Sequence, residues 1–399
     1  MRIGTLVMAA VTACLITGTA HAVEWRSIDD VKKMVLERAG KRGSFAEVKR
    51  GDVEQILNNI KTLDRDEWAR EWCRTGLKYE AEGDTLAKGG ASHQEIAEVY
   101  HLAFNYCMLG RYPTATSPGK KEAYFHSVRQ YRKAGQYLDP PLKIVEIPFE
   151  GQKLVAYLRL PKGVEKPPVV MNWGGVDGWK EDRERPNQRL LRQGIATFTV
   201  DLPGTGESPV LYGDPAAQRA YSTFIDHLVG RTDLDGSRIA VWGGSFGGYW
   251  AARLAYTEAQ RIKGAVFQGG SVHLGYEKKW LVPAFTTGGA TYLFGAGSLL
   301  EARNAAMGLK TMDEFLDAAP KLSLVTLGLI DKPSAPILGV NGKLDDQAPV
   351  DDIYFLMEHG SPKEARIYPN GYHMGATPGQ PEDEVGNMIT DWLKQKLRK

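Results

Sequence analysis

The sequence predicts an α/β fold for its larger part, a mostly parallel central sheet with helices on both faces, preceded by an N-terminal helical cap unit. Three observations carry this. From about residue 141 short β-branched runs alternate with stretches long enough for crossover helices. Residues 23–140 repeat apolar side chains at helical spacing instead. Between a strand and a helix, residues 238–249 read RIAVWGGSFGGY, a glycine-flanked serine at a sharp junction.

Composition bounds the rest. The chain has 399 residues, 43% hydrophobic and 25% charged, enough for one large core and a smaller unit. A formal net charge of +2 gives no bulk electrostatic case for nucleic acid or an anionic membrane. The expected partner is a small-molecule substrate. No cofactor or metal is expected, because no phosphate loop, nicotinamide or flavin fingerprint or metal-ligand spacing occurs. Oligomeric state is left open, a dimer included.

Residues 1–22 read as a signal peptide. Arg2 is a short positive start, residues 6–16 are an apolar core, and Ala20-His21-Ala22 is an A-x-A cleavage site. The apolar run is too short to span a bilayer, and no later segment is long enough. Val11-Thr12-Ala13-Cys14 resembles a lipobox, but Leu15 and Ile16 stay apolar where an anchored protein turns polar. Cleavage and export, to the periplasm or beyond the cell, is the favoured reading. Cys73 and Cys107 then remain, and both a disulfide and two buried thiols fit their amphipathic helical surroundings.

In residues 23–140, Val53, Ile56, Leu57, Ile60 and Leu63 repeat at helical spacing. Ser92 and Glu95 form a capping box ahead of Ile96, Val99, Tyr100, Phe104 and Cys107. Ser117-Pro118 supplies a cap and a first-turn proline before Tyr124, Val128 and Tyr131. A unit this rich in aromatics must bury them, and the open crevice above the sheet's strand ends is one place to do so.

At Asp139-Pro140-Pro141 the pattern changes, and residues 141–399 form the second unit. A hairpin is expected over 143–149 and 154–160 with its turn at Glu150-Gly151. Strands follow at 169–172, 195–200, 239–241, 265–268, 337–341 and 365–368, then a closing helix with Val385, Met388, Ile389, Trp392 and Leu393. The interval 271–334 is too long for one crossover and reads as a lid insertion carrying Trp280, Phe285, Tyr292 and Phe294. Gly204-Thr205-Gly206 follows a strand end but lacks a third glycine and an acidic partner, so it reads as a structural turn.

A G-x-S-x-G sequence between strand and helix is the context of a nucleophile elbow, which places Ser245 above the sheet edge. A serine hydroxyl needs a base to take its proton and a carboxylate to orient that base. Asp345 follows a strand and a glycine turn at Gly-x-x-Asp spacing; Asp346 is the alternative, while Asp351 and Asp352 look like helix-start residues. His373 stands in the loop between the last strand and the last helix, with His273 as its rival. An oxyanion hole needs two amides: Phe246, after the nucleophile, and Val176 in the Gly-Gly loop of residues 173–178, with Gly175 as the alternative.

From about residue 143 onward the chain resembles an α/β-hydrolase. Residues 201–208, DLPGTGES, match that fold's D-x-x-G-x-G-x-S turn, and WGGSFGGY at 242–249 resembles the prolyl-oligopeptidase group. The layout also resembles the esterases first described as fermentation/respiration-switch proteins and the pseudooxynicotine C–C hydrolases, which carry a helical N-terminal unit too. Gly174-Gly175 stands where many relatives have His-Gly, and no β-propeller precedes the hydrolase part. The resemblance implies a serine hydrolase with Ser245, His373 and Asp345 as its triad. The expected substrate is a carboxylic ester with an apolar or aromatic portion. A C–C bond hydrolase with Glu277 as an added acid, an aminopeptidase-like serine peptidase and a non-enzymatic binding protein are the alternatives.

Overall fold

The structure, a computed structural model, describes residues 23–41, 43–287 and 292–398. The signal-peptide and lipobox readings fall on residues 1–22 and lie outside the described residues.

Five helices come first: α1 (Ile28–Arg38), α2 (Arg50–Asn59), α3 (Arg65–Gly89), α4 (His93–Arg111) and α5 (Pro118–Tyr137). The capping box at Ser92 and Glu95 starts α4, and the Ser117 hydroxyl accepts from the Lys120 amide to start α5. Leu63 does not continue α2 as its spacing suggested. Asp64 accepts the amides of Asp66 and Glu67 to cap α3, which makes 60–63 a connector. Cys73 of α3 and Cys107 of α4 form a disulfide, so the choice left open by the sequence falls on pairing.

The remaining elements alternate: β1 (Lys143–Phe149), β2 (Gln152–Arg159), β3 (Val169–Trp173), α6 (Glu184–Arg192), β4 (Ala196–Val200), α7 (Pro215–Val229), β5 (Ile239–Gly244), α8 (Gly248–Thr257) and β6 (Ala265–Gln268). Next come α9 (Lys278–Thr286), α10 (Ala296–Met307) and α11 (Met312–Ala318) in the long interval, then β7 (Ile337–Gly342), α12 (Asp351–Glu358), β8 (Lys363–Tyr368) and α13 (Glu384–Lys396). The β1–β2 turn takes left-handed φ at Glu150 (46°) and Gly151 (78°), the backbone a two-residue hairpin turn requires.

One sheet runs β1-β2-β4-β3-β5-β6-β7-β8. β1–β2 and β2–β4 pair antiparallel, and the other five neighbours are parallel. Strand alternation supplies a core on each face. Val169, Met171 and Trp173 join one core with Phe224, Trp250 and Leu254, whereas Val170, Ala240 and Trp242 join the other with Leu190, Ile389 and Leu393. The N-terminal helices bury a third core around Val31, Trp68, Trp72 and Leu109, which takes in Tyr157 of β2 and Phe294. Asp352, expected only at a helix start, is fully buried. Its carboxylate accepts the amides of His273, Leu274 and Gly275 and fixes the entry into the insertion. Among the described residues no helix is long and apolar enough to cross a membrane.

The disulfide closes a loop of sequence separation 34, for which the chain-entropy model gives about 3–4 kcal/mol. Cys73→Ser should lower the thermal midpoint by several degrees in calorimetry, and a reductant should move the parent to the same value. Equal midpoints for parent and variant would remove the cross-link from the sources of stability.

Candidate active site

β5 ends at Gly244 and the chain turns at once into α8 through residues 245–247. Ser245 holds a left-handed φ of 55°, a conformation that non-glycine residues adopt only under constraint. The turn is that tight because neighbouring backbone crowds it: a Cβ at Gly243 would lie 2.3 Å from Gly247 O, and one at Gly247 would lie 2.1 Å from Gly174 O. Ser245 stays partly exposed while Phe246 and Val176 are buried.

His373 Nε2 stands 2.8 Å from Ser245 Oγ, and His373 Nδ1 stands 2.8 Å from Asp345 Oδ2. The structure therefore brings these three together. His273 goes elsewhere, with Nδ1 2.8 Å from Ser323 Oγ and its ring beside Phe355. Asp345 rather than Asp346 meets His373. Its Oδ1 accepts the amides of Gln347 (2.8 Å) and Ala348 (3.3 Å), and its Oδ2 accepts Asn341 Nδ2 (2.8 Å) as well as facing the imidazole. Burial works against the imidazolium of His373, but the charge and hydrogen bond of Asp345 outweigh it, so the His373 pKa lies above its ordinary value. Asp177 adds in the same direction and Arg303 opposes it.

The loop after β3 passes directly over the serine. A Cβ on Gly175 would lie 2.7 Å from Ser245 Cβ, 2.9 Å from its Oγ and 3.3 Å from Phe246 N. Among the described residues neither the Phe246 nor the Val176 amide donates to another backbone group. The loop is held by Trp173 Nε1 donating to Gly247 O (2.9 Å) and Trp179 Nε1 donating to Val176 O (2.9 Å).

Several residues at the site have no local sequence signal. Asn341 both donates to Asp345 and accepts the Met374 amide at 3.0 Å, so one side chain ties the acid loop to the base loop. Gln268 Nε2 donates to Met374 O (3.0 Å) while its Oε1 accepts Trp242 Nε1 (2.9 Å). Arg111, at the end of α4, donates to Asp177 O and Pro113 O, pairs with Asp182 and stacks its guanidinium 3.9 Å from the Trp179 ring. Tyr112 Oη donates to Asp177 Oδ2 at 3.1 Å. The N-terminal helices thus lie against the catalytic edge, not on the far side of the sheet. Asn341 and Gln268 could have been suspected from their places at strand C-terminal ends. Arg111 and Tyr112 could not, since their partners at the site, in the 177–182 segment, lie more than sixty residues away.

Glu277 stands at the N-cap position of α9 without a side-chain capping bond, 2.6 Å from Lys279 Nζ and 3.8 Å from His273 Nε2.

With this geometry in hand, two family descriptions match. An esterase FrsA-like model covers residues 21–283, and a prolyl oligopeptidase family model covers residues 186–399. Esterase FrsA of Vibrio vulnificus is 27% identical over 251 residues, 62% of this chain and 58% of that protein, so the chain spans little more than half of that relative's length. Esterase FrsA of Photobacterium profundum is 21% identical over 383 residues, covering 94% of this chain and 86% of the relative. Among solved structures, the 2,6-dihydroxy-pseudo-oxynicotine hydrolase superposes with a TM-score of 0.73 at 21% identity, over 92% of this chain and 95% of that one. AbyA5 gives 0.70 at 20% identity, over 94% and 100%. At these identities the superpositions speak to the α/β-hydrolase fold.

Gly175→Ala puts a methyl where Ser245 Oγ and the approaching reagent must be. It should slow fluorophosphonate labelling of Ser245 by about a hundredfold or more, in the range for loss of one oxyanion donor, in a protein that still folds but melts lower because the added carbon must displace its neighbours. Labelling within threefold of the parent would take Gly175 out of the site.

Proposed function

The chain belongs to the esterase FrsA-like family, and from that membership we propose that it hydrolyses a carboxylic ester through an acyl-enzyme, with Ser245 as nucleophile, His373 as base and Asp345 as its orienting acid. One observation carries the reading: two 2.8 Å contacts in series, Asp345 Oδ2 to His373 Nδ1 and His373 Nε2 to Ser245 Oγ.

Asp345 holds the neutral imidazole with its proton on Nδ1, leaving the Nε2 lone pair toward the serine. As Ser245 Oγ attacks the acyl carbon, its proton passes to His373 Nε2, and the new imidazolium is stabilised by the adjacent carboxylate. The carbonyl oxygen becomes an oxyanion, met by the Phe246 and Val176 amides. Collapse expels the alkoxide, which takes the proton from Nε2. A water then attacks the acyl-enzyme by the same route, giving its proton to His373, and Ser245 leaves with that proton to regenerate the free enzyme.

An ester with an apolar or aromatic portion fits the buried aromatics around the site, Phe246, Phe285 and Tyr292 among them. Export accords with the Cys73–Cys107 disulfide, a cross-link of oxidising compartments. The C–C hydrolase reading asks for a further acid in the pocket, and its candidate Glu277 is engaged by Lys279 instead.

Ser245→Ala should remove turnover of a short-chain aryl ester by about five to six orders of magnitude. Asp345→Asn should lower kcat by about three to four orders, since the amide favours the wrong tautomer, whereas Asp346→Asn should cost little. The reverse ranking of the two acids would move the role to Asp346.

The pH profile has a defined sign. His373 must be neutral to act, and its pKa is raised above the ordinary value of 6.5. The rate constant kcat/KM should therefore be lost as pH falls and recover with rising pH through a midpoint above that value. A midpoint below it would contradict the dominance of Asp345 over burial.

A further inference from the structure

Arg303, on α10 of the insertion, is a buried cation without a carboxylate partner among the described residues. Its residue exposure is 6%. The guanidinium carbon stands 5.3 Å from the Phe246 ring and 5.5 Å from the Phe285 ring, and Tyr212 stacks on Phe246 at 4.0 Å between centroids. Nη2 donates to Gln347 O at 2.8 Å, while the buried Nε has no hydrogen-bond partner. The Gln347 amide donates to Asp345 Oδ1, so Arg303 reaches the acid loop beside the triad, and its charge is felt at both Asp345 and His373. The buried Tyr292 hydroxyl is also unpartnered.

A guanidinium in such surroundings is disfavoured unless an anion or further acceptors meet it, and an unsatisfied buried donor in a folded protein calls for a reason. Burial works against its charge and holds its pKa below the ordinary arginine value. The Asp345 carboxylate is already saturated by two amides, Asn341 and His373, so it does not serve as the counter-ion. Asp177, the other acid close to His373, is engaged by Tyr112.

We propose that Arg303 binds an anionic oxygen on the acyl portion of the substrate, so that the preferred ester is a half-ester whose free end is a carboxylate. This rests on the hydrolase reading above and names its substrate class. Arg303 is then a binding residue. It orients the acyl chain beside Phe246, with the ester carbonyl left over Ser245. Planar, bidentate recognition of carboxylate is the chemistry for which arginine differs from lysine.

The test compares mono-4-nitrophenyl glutarate and adipate with the same esters capped as methyl esters at the far end. The parent enzyme should favour at least one half-ester over its capped form by about tenfold or more in kcat/KM, the scale of one hydrogen bond to a charged group. Arg303→Gln should erase that ratio, mainly through KM, and Arg303→Lys should keep part of it. Free glutarate or adipate should inhibit turnover of the capped ester competitively in the parent, a measurement that needs no variant. A parent that favours the capped esters, a Gln variant that lowers both esters alike, or absence of dicarboxylate inhibition would each overturn the proposal. Turnover of neither ester, with Ser245 unlabelled by fluorophosphonate, would instead bring down the hydrolase reading on which it rests.

Discussion

Lys180 is completely buried, and it anchors the segment that follows the loop over Ser245. Its ammonium stands 2.8 Å from carboxylate oxygens of Glu181, Asp201 and Glu207. Burial opposes the charge, but Asp201 and Glu181 outweigh it and keep the amine well above its ordinary range. Arg132 of α5 completes the balance with two contacts to Glu207 and one to the Tyr157 hydroxyl. Three parts of the chain are joined by these charges: the helices, the segment after β3 and the turn after β4. Removing one partner from such a cluster costs about 3–5 kcal/mol, because the others are left uncompensated in a dry interior. The D-x-x-G-x-G-x-S turn thus carries two of the three acids that hold Lys180, Asp201 and Glu207, beyond serving as a turn.

Arg111 applies the same constraint a few residues earlier, from α4. It grips the 177–182 segment by a carbonyl, a carboxylate and the face of Trp179. Gly175 is then held against Ser245 at a distance that admits no Cβ. The helices therefore help to hold the loop that lies over Ser245. Their own core continues into the sheet and the insertion through Tyr157 and Phe294, so they share apolar burial with both.

The remaining geometry follows from strand order. β5, β6, β7 and β8 are parallel neighbours, and Ser245, Gln268, Asn341 and His373 lie at or just beyond their C-terminal ends. Four side chains far apart in sequence meet because the sheet sets their strands side by side. Asn341 sets the fine register by bonding to both the acid loop and the base loop, and Gln268 fixes Met374 behind the histidine. Strain at Ser245, with its positive φ, is sustained by the packing of the elbow against Gly174 and Trp173.

The sequence by itself determined what depends on neighbours along the chain. The helices with their caps at Ser92 and Ser117, the hairpin turn at Glu150-Gly151, the strand runs and the elbow around Ser245 are all set by local sterics and periodicity. The residues proposed as acid and base were candidates from strand order and loop position, although spacing alone left Asp346 and His273 as rivals. Only the tertiary structure decided between those rivals, by putting Asp345 and not Asp346 against His373 and by engaging His273 with Ser323. It also decided the pairing of Cys73 with Cys107, the ionic capture of Lys180 and the isolation of Arg303. Those outcomes depend on which charges and thiols arrive at the same point from distant segments. Burial makes them decisive, because in a low-dielectric interior a charge is stabilised or stranded by partners that no local pattern announces.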